Sequence, residues 1–94
     1  MPAQFKVLTS HLFDRDAKKL CKRHPELREV LKKVSRILAA DPYNRAGEFD
    51  VKKLTSVKAG EGQWRLRLGV FRLRYDIEGK EVILHSLRPR DQAY

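Results

Sequence analysis

"QWRLRLGVFRLRY", residues 63–75, alternates apolar and charged residues on both sides of a single glycine. Alternation this strict predicts two β-strands, each with one buried face. Gly69-Val70 fits a two-residue type II′ hairpin turn, in which the first central residue takes a positive φ. With that turn, Leu68 lies opposite Phe71, Arg67 opposite Arg72, Leu66 opposite Leu73, Arg65 opposite Arg74 and Trp64 opposite Tyr75. One face of the ribbon is then apolar or aromatic, and the other is a block of guanidinium groups. Like charges directly across a ladder destabilise it, by roughly 0.2–1 kcal/mol per pair. A face built this way predicts an anionic partner.

Downstream, Glu78-Gly79-Lys80 reads as a second turn, and "EVILHSL", residues 81–87, as a strand apolar enough to be central in a sheet. Pro89 stops the ladder. In this strand His85 shares parity with Ile83 and Leu87, which predicts core packing. Upstream, residues 52–58 hold a short strand with Leu54 and Val57 inward, "AGEG" is a turn or flexible loop, and residues 43–52 are loop. Two amphipathic helices precede these. Leu12, Phe13, Ala17, Leu20 and Cys21 fall at three- and four-residue steps from about Ser10 to His24. Leu27, Val30, Leu31, Val34, Ile37 and Leu38 then form one stripe, entered at Pro25 and ended by Asp41-Pro42. "QFKVLTS" opens as a strand. The expected fold class is α+β: an N-terminal strand, a two-helix hairpin and a three-strand antiparallel meander. These form one small sheet with both helices on one face. The helices cover the Trp64/Leu66/Leu73/Tyr75 face, leaving the arginine face open.

At 94 residues the chain is expected to be one domain, residues 1–94. Its formal net charge of +9, from 21 Lys and Arg against 12 Asp and Glu, points to nucleic acid or an acidic protein as partner. No apolar stretch approaches the roughly 18 residues that span a bilayer, and no signal-peptide core is expected at the N-terminus. One cysteine, Cys21, excludes an intrachain disulfide, suits a reducing, cytoplasmic setting, and reads as a small core residue. His11, His24 and His85 are too scattered for metal-ligand spacing, so no metal and no cofactor are expected.

The order of elements and the C-terminal motifs resemble toxins of the RelE/ParE superfamily from toxin–antitoxin modules. The resemblance covers nearly the whole chain. It is most specific over residues 63–94: the strand "WRLRLG", the return strand "FRLRY", a turn, an apolar strand, and a basic tail ending in tyrosine. What it implies is a metal-free endoribonuclease that cuts mRNA in the ribosomal A site, neutralised by a cognate antitoxin. By the same resemblance, Arg65 and Arg67 match the family's basic strand pair, which is lysine in the best-known RelE toxins. Arg72 matches the arginine of the following strand, and Arg88 and Tyr94 match an arginine and a tyrosine six residues apart. Arginine binds phosphate oxygens in pairs but is a poor base, with a pKa above about 12. The expected roles are therefore Arg72 and Arg88 on the scissile phosphate, Arg65 and Arg67 as electrostatic and positioning groups, and Tyr94 as general base. Arg88 or Arg90 donates to the leaving group. Arg74, Arg90, Lys52, Lys53 and Lys58 are expected to hold the RNA, and Trp64 and Tyr75 to belong to the core. A gyrase inhibitor of the ParE type and a plain RNA-binding domain are the competing functions. A 2′,3′-cyclic phosphate product belongs to the first function alone.

Overall fold

In the computed structural model, residues 4–90 are described. The elements are β1 (Lys6–Thr9), α1 (His11–Arg23), α2 (Leu27–Ala40), β2 (Val51–Lys53), β3 (Trp64–Leu68), β4 (Phe71–Glu78) and β5 (Glu81–Pro89). They build one five-stranded sheet in the order β1-β5-β4-β3-β2. β1 runs parallel to β5, and the other pairs are antiparallel. The hairpin register is the one its turn dictates, from Leu68 opposite Phe71 to Trp64 opposite Tyr75. Gly69 has φ 60°, the value a type II′ turn requires at that position.

The helices form because their apolar spacing lets one stripe face the sheet. Phe13 and Cys21 of α1 and Leu27, Val34 and Leu38 of α2 are buried against Leu66, Leu73, Tyr75, Val82, Leu84 and Leu87. α1 is capped by Ser10, whose backbone is extended and whose side-chain oxygen accepts the Phe13 amide at 3.0 Å. The same hydroxyl donates to the His85 carbonyl at 2.7 Å, so one side chain caps the helix and ties it to β5. Ser10→Ala is expected to cost about 1–2 kcal/mol, read as a melting-temperature drop of roughly 4–8 °C per kcal/mol. α2 starts at Leu27, two residues after Pro25. Pro25 and Glu26 form a turn closed by the Leu27 amide on the His24 carbonyl.

Tyr75 is fully buried, and its hydroxyl donates to the Pro42 carbonyl at 2.7 Å. Burial, and after it the nearby Asp41 carboxylate, hold that phenol above the ordinary tyrosine range, so it stays protonated. Trp64 stacks on Tyr75 with ring centroids 6.3 Å apart, and Tyr43 meets Trp64 edge-on at 5.5 Å.

Two sequence expectations are corrected. The strand expected over 52–58 is β2, Val51–Lys53, and Val51 opposite Leu66 is its inward residue rather than Leu54 or Val57. The chain leaves the sheet after Lys53 because Asp76 on β4 captures the loop. Its two carboxylate oxygens accept the backbone amides of Gly60, Gly62 and Gln63 at 2.9–3.2 Å. The glycine-rich segment is therefore an anchored roof rather than a free turn.

The second correction concerns β5. A β-bulge between β4 and β5 sets Arg74 opposite Ser86 but Tyr75 opposite Leu84, leaving His85 as the extra residue. Val82 and Leu84 face the core before the bulge, and Leu87 faces it after. His85 is not a core residue: it stands with Ser86 on the arginine side, its Nδ1 3.2 Å from the Ser86 hydroxyl.

Candidate functional site

Residues directly opposite in a ladder share a face, so the register draws the basic surface as two rows crossing the sheet. Nearer the hairpin tip, Arg67, Arg72 and Arg88 stand in register on β3, β4 and β5. The second row runs Lys52, Arg65, Arg74 and Ser86 from β2 to β5. Two residues along a strand separate the rows, about 6.7 Å.

The arginines are not equivalent. Arg65 and Arg67 share one carboxylate: Arg65 Nη2 lies 3.1 Å from Asp50 Oδ1 and Arg67 Nη1 lies 3.3 Å from Asp50 Oδ2. The Arg67 amide also donates to the Asp50 carbonyl, which fixes this acid beside β3. Arg65 is largely enclosed, with its side chain 12% exposed, whereas Arg67 remains open. Arg74 donates Nε to the Gly62 carbonyl at 2.9 Å and Nη2 to the Glu61 carbonyl at 2.8 Å, so it holds the loop over the face. Gly62 lies so close that a Cβ there would meet Arg74 Cβ at 2.9 Å, and its φ of 77° also favours glycine.

That loop roofs one end of the face. Asp76 and Ile83 stand opposite each other on the arginine side, Asp76 covered to 2% exposure and Ile83 half-buried. The arginine face expected to be wholly open is therefore open only toward the hairpin tip. Arg72 and Arg88 sit there, opposite each other on adjacent strands. The Arg72 Nε is buried without a hydrogen-bond partner among the described residues. Arg88 has one long ion pair, Nε to Asp16 Oδ2 at 3.9 Å. Among the arginines of this face, these two are the least engaged by their own fold, and their forks can meet an oxyanion from two sides.

The other expected residues are dispersed. Lys52 stands on the arginine face opposite Arg65. Lys53, opposite Trp64, belongs to the other face, with its ammonium 5.8 Å from the centre of the indole. Lys58 is exposed in the roofing loop. Arg90 directly follows β5, and its amide donates to the Val70 carbonyl at 2.7 Å, so the chain leaves the sheet beside the hairpin turn. Tyr94 lies outside the described residues. Among the described residues, no group of three His, Cys, Asp or Glu side chains could hold a metal ion. None of their helices is long and apolar enough to cross a membrane.

Sequence reasoning missed three groups: Asp50, Asp76 and His85. Each acid acts across a loop, 13–17 residues away from its partners, where no local periodicity marks it. His85 was misplaced by one residue of bulge.

No protein-family profile matches the chain, and no curated protein sequence matches it. Solved structures do. The archaeal RelE–RelB complex from Pyrococcus horikoshii OT3 contains a chain 26% identical, with a TM-score of 0.68 over 96% of this chain and 99% of that one. The DinJ–YafQ toxin–antitoxin complex from E. coli gives a TM-score of 0.75 at 18% identity, covering 97% and 98% of the two chains. The RelB–RelE antitoxin–toxin complex from Methanococcus jannaschii gives 0.56 at 22% identity, covering 94% and 95%. These similarities cover the parallel edge strand, the helix pair and the arginine-bearing meander together, and the fold of this chain is the RelE/ParE-superfamily fold of toxin–antitoxin modules.

Proposed function

We propose that this protein is the toxin of a toxin–antitoxin pair and that it cleaves mRNA on the ribosome without a metal. The observation that carries this reading is the pair Arg72 and Arg88, held in register on an open sheet face and left under-neutralised by the fold. The likeness to an archaeal RelE solved with RelB supports the toxin role and a cognate antitoxin as partner.

In the proposed reaction the 2′-hydroxyl attacks the adjacent phosphorus. The 2′-O–P bond forms as the P–O5′ bond breaks, leaving a 2′,3′-cyclic phosphate and a 5′-hydroxyl. Arg72 and Arg88 bind the phosphate oxygens as charge builds on the pentacoordinate phosphorus. Arg65 and Arg67, positioned by Asp50, raise the local potential, and Lys52, Lys58 and Arg90 hold the flanking strand. Tyr94 takes the 2′-hydroxyl proton. Four residues beyond Arg90 reach at most about 14 Å, enough to return to the arginine row from the hairpin tip. The leaving 5′-oxygen takes its proton from Arg88 or Arg90. A second reading gives that transfer to His85, because the bulge turns its imidazole onto the arginine side.

The test is the product itself. Purified protein with programmed ribosomes is expected to yield 2′,3′-cyclic phosphate ends, and its expression is expected to arrest growth unless an antitoxin is co-expressed. Gyrase poisoning without RNA cleavage would instead identify the ParE-type activity, and RNA binding without cleavage a plain binding domain.

A further inference from the structure

β1 ends at Thr9, so beyond Leu84 one edge of β5 has no strand beside it. α1 takes that place. Ser10 receives the chain at the Leu84 and His85 carbonyls, and one turn later Asp16 Oδ2 accepts the Leu87 amide at 3.2 Å. Between helix and strand lies a cavity of about 340 Å³, with Leu20 and Leu87 in its walls and Lys19, Arg23 and Arg88 around it.

Its charges do not cancel. Among the described residues Asp16 is the sole acid lining it, and that carboxylate is engaged by the Leu87 amide and faces Arg88. Lys19 and Arg23 are four residues apart on one helix face, an arrangement that costs an isolated helix a few tenths of a kcal/mol. Both are exposed, and neither has an ion-pair partner among the described residues. Arg88 belongs both to this cavity and to the arginine row of the sheet. The basic surface therefore continues from Arg67 and Arg72 through Arg88, over the edge of β5, onto α1.

Resting on the RNA reading above, we infer that this cavity is a second phosphate subsite, where Lys19 and Arg23 hold a backbone phosphate of the same RNA strand whose scissile phosphate lies on Arg72 and Arg88. Arg88 stands between the two subsites. Asp16 anchors the strand at this point and keeps the Arg88 guanidinium at the mouth of the cavity.

The test is binding, with no dependence on cleavage. A single-stranded RNA with every 2′-hydroxyl methylated is titrated against the full chain across about 50–200 mM salt. Each phosphate contact to a single strand contributes about 0.7 to the slope of log K against log[salt]. Lys19→Gln with Arg23→Gln is expected to lower the slope by about 0.7, so that the affinity gap to the parent narrows about 2.6-fold over that range. Glutamine keeps helix propensity close to that of the residues replaced. Lys32→Gln with Arg36→Gln on α2 removes the same charge from a different helix and is expected to leave the slope alone. An unchanged slope in the α1 pair would overturn the subsite while leaving the RNA reading in place. An equal fall in both pairs would also overturn it, because net charge alone would then be the cause. A parent that shows no salt-dependent binding would remove both.

Discussion

Arg72→Ala is expected to lower single-turnover RNA cleavage by about 10²–10³-fold, the usual worth of one preorganised donor at a developing oxyanion. Its position makes the effect separable from folding. Arg72 is flanked by Arg67 on one strand and Arg88 on the other, so removing it relieves like-charge repulsion rather than breaking an ion pair. The melting temperature should hold or rise. Arg72→Lys keeps the charge but loses the fork that takes two phosphate oxygens at once, and should fall between alanine and the parent. Full cleavage of programmed ribosomes by Arg72→Ala would remove the clamp from the mechanism.

Tyr94→Phe is the second large effect. It keeps the ring and removes the oxygen proposed to accept the 2′-hydroxyl proton, so cleavage should fall about 10²–10⁴-fold. RNA affinity, measured separately on methylated RNA, should hardly change, since phosphate contacts set it. His85→Gln is the companion variant. If His85 protonates the leaving oxygen, an RNA with a 5′-thio leaving group, which needs no proton, rescues His85→Gln and leaves Tyr94→Phe impaired. Parent-rate cleavage by Tyr94→Phe would pass the base role to His85, a lysine of the 52–58 segment or the ribosome.

The sequence was legible where local chemistry decides the geometry. Gly69 sets the hairpin turn, and the turn fixes every partner from Leu68–Phe71 to Trp64–Tyr75. The stripe from Leu27 to Leu38 sets the second helix, and Asp41-Pro42 ends it. The basic face was legible in outline only. Parity places four arginines on one side, but whether each is available depends on partners distant in sequence. Asp50 neutralises Arg65 and Arg67, and the loop anchored by Asp76 occupies Arg74. Neither acid sits at a spacing that marks it. The β5 reading failed for a different reason: a bulge needs no special residue type, and parity counting assumes that none is present.

The bulge has a consequence for how this chain tolerates change. Leu84 and Leu87 both point inward though three residues apart, an odd step that an unbroken strand forbids. Position 85 is therefore the residue that the bulge absorbs, and the addressing of everything after it does not depend on its presence. A substitution there alters one side chain. A deletion there would restore strict alternation and leave every later side chain on its face, with Ser86 following Leu84 opposite Arg74, Leu87 inward and Arg88 beside Arg72. The last strand can therefore lose one residue at this point and still keep its arginine in line with Arg72.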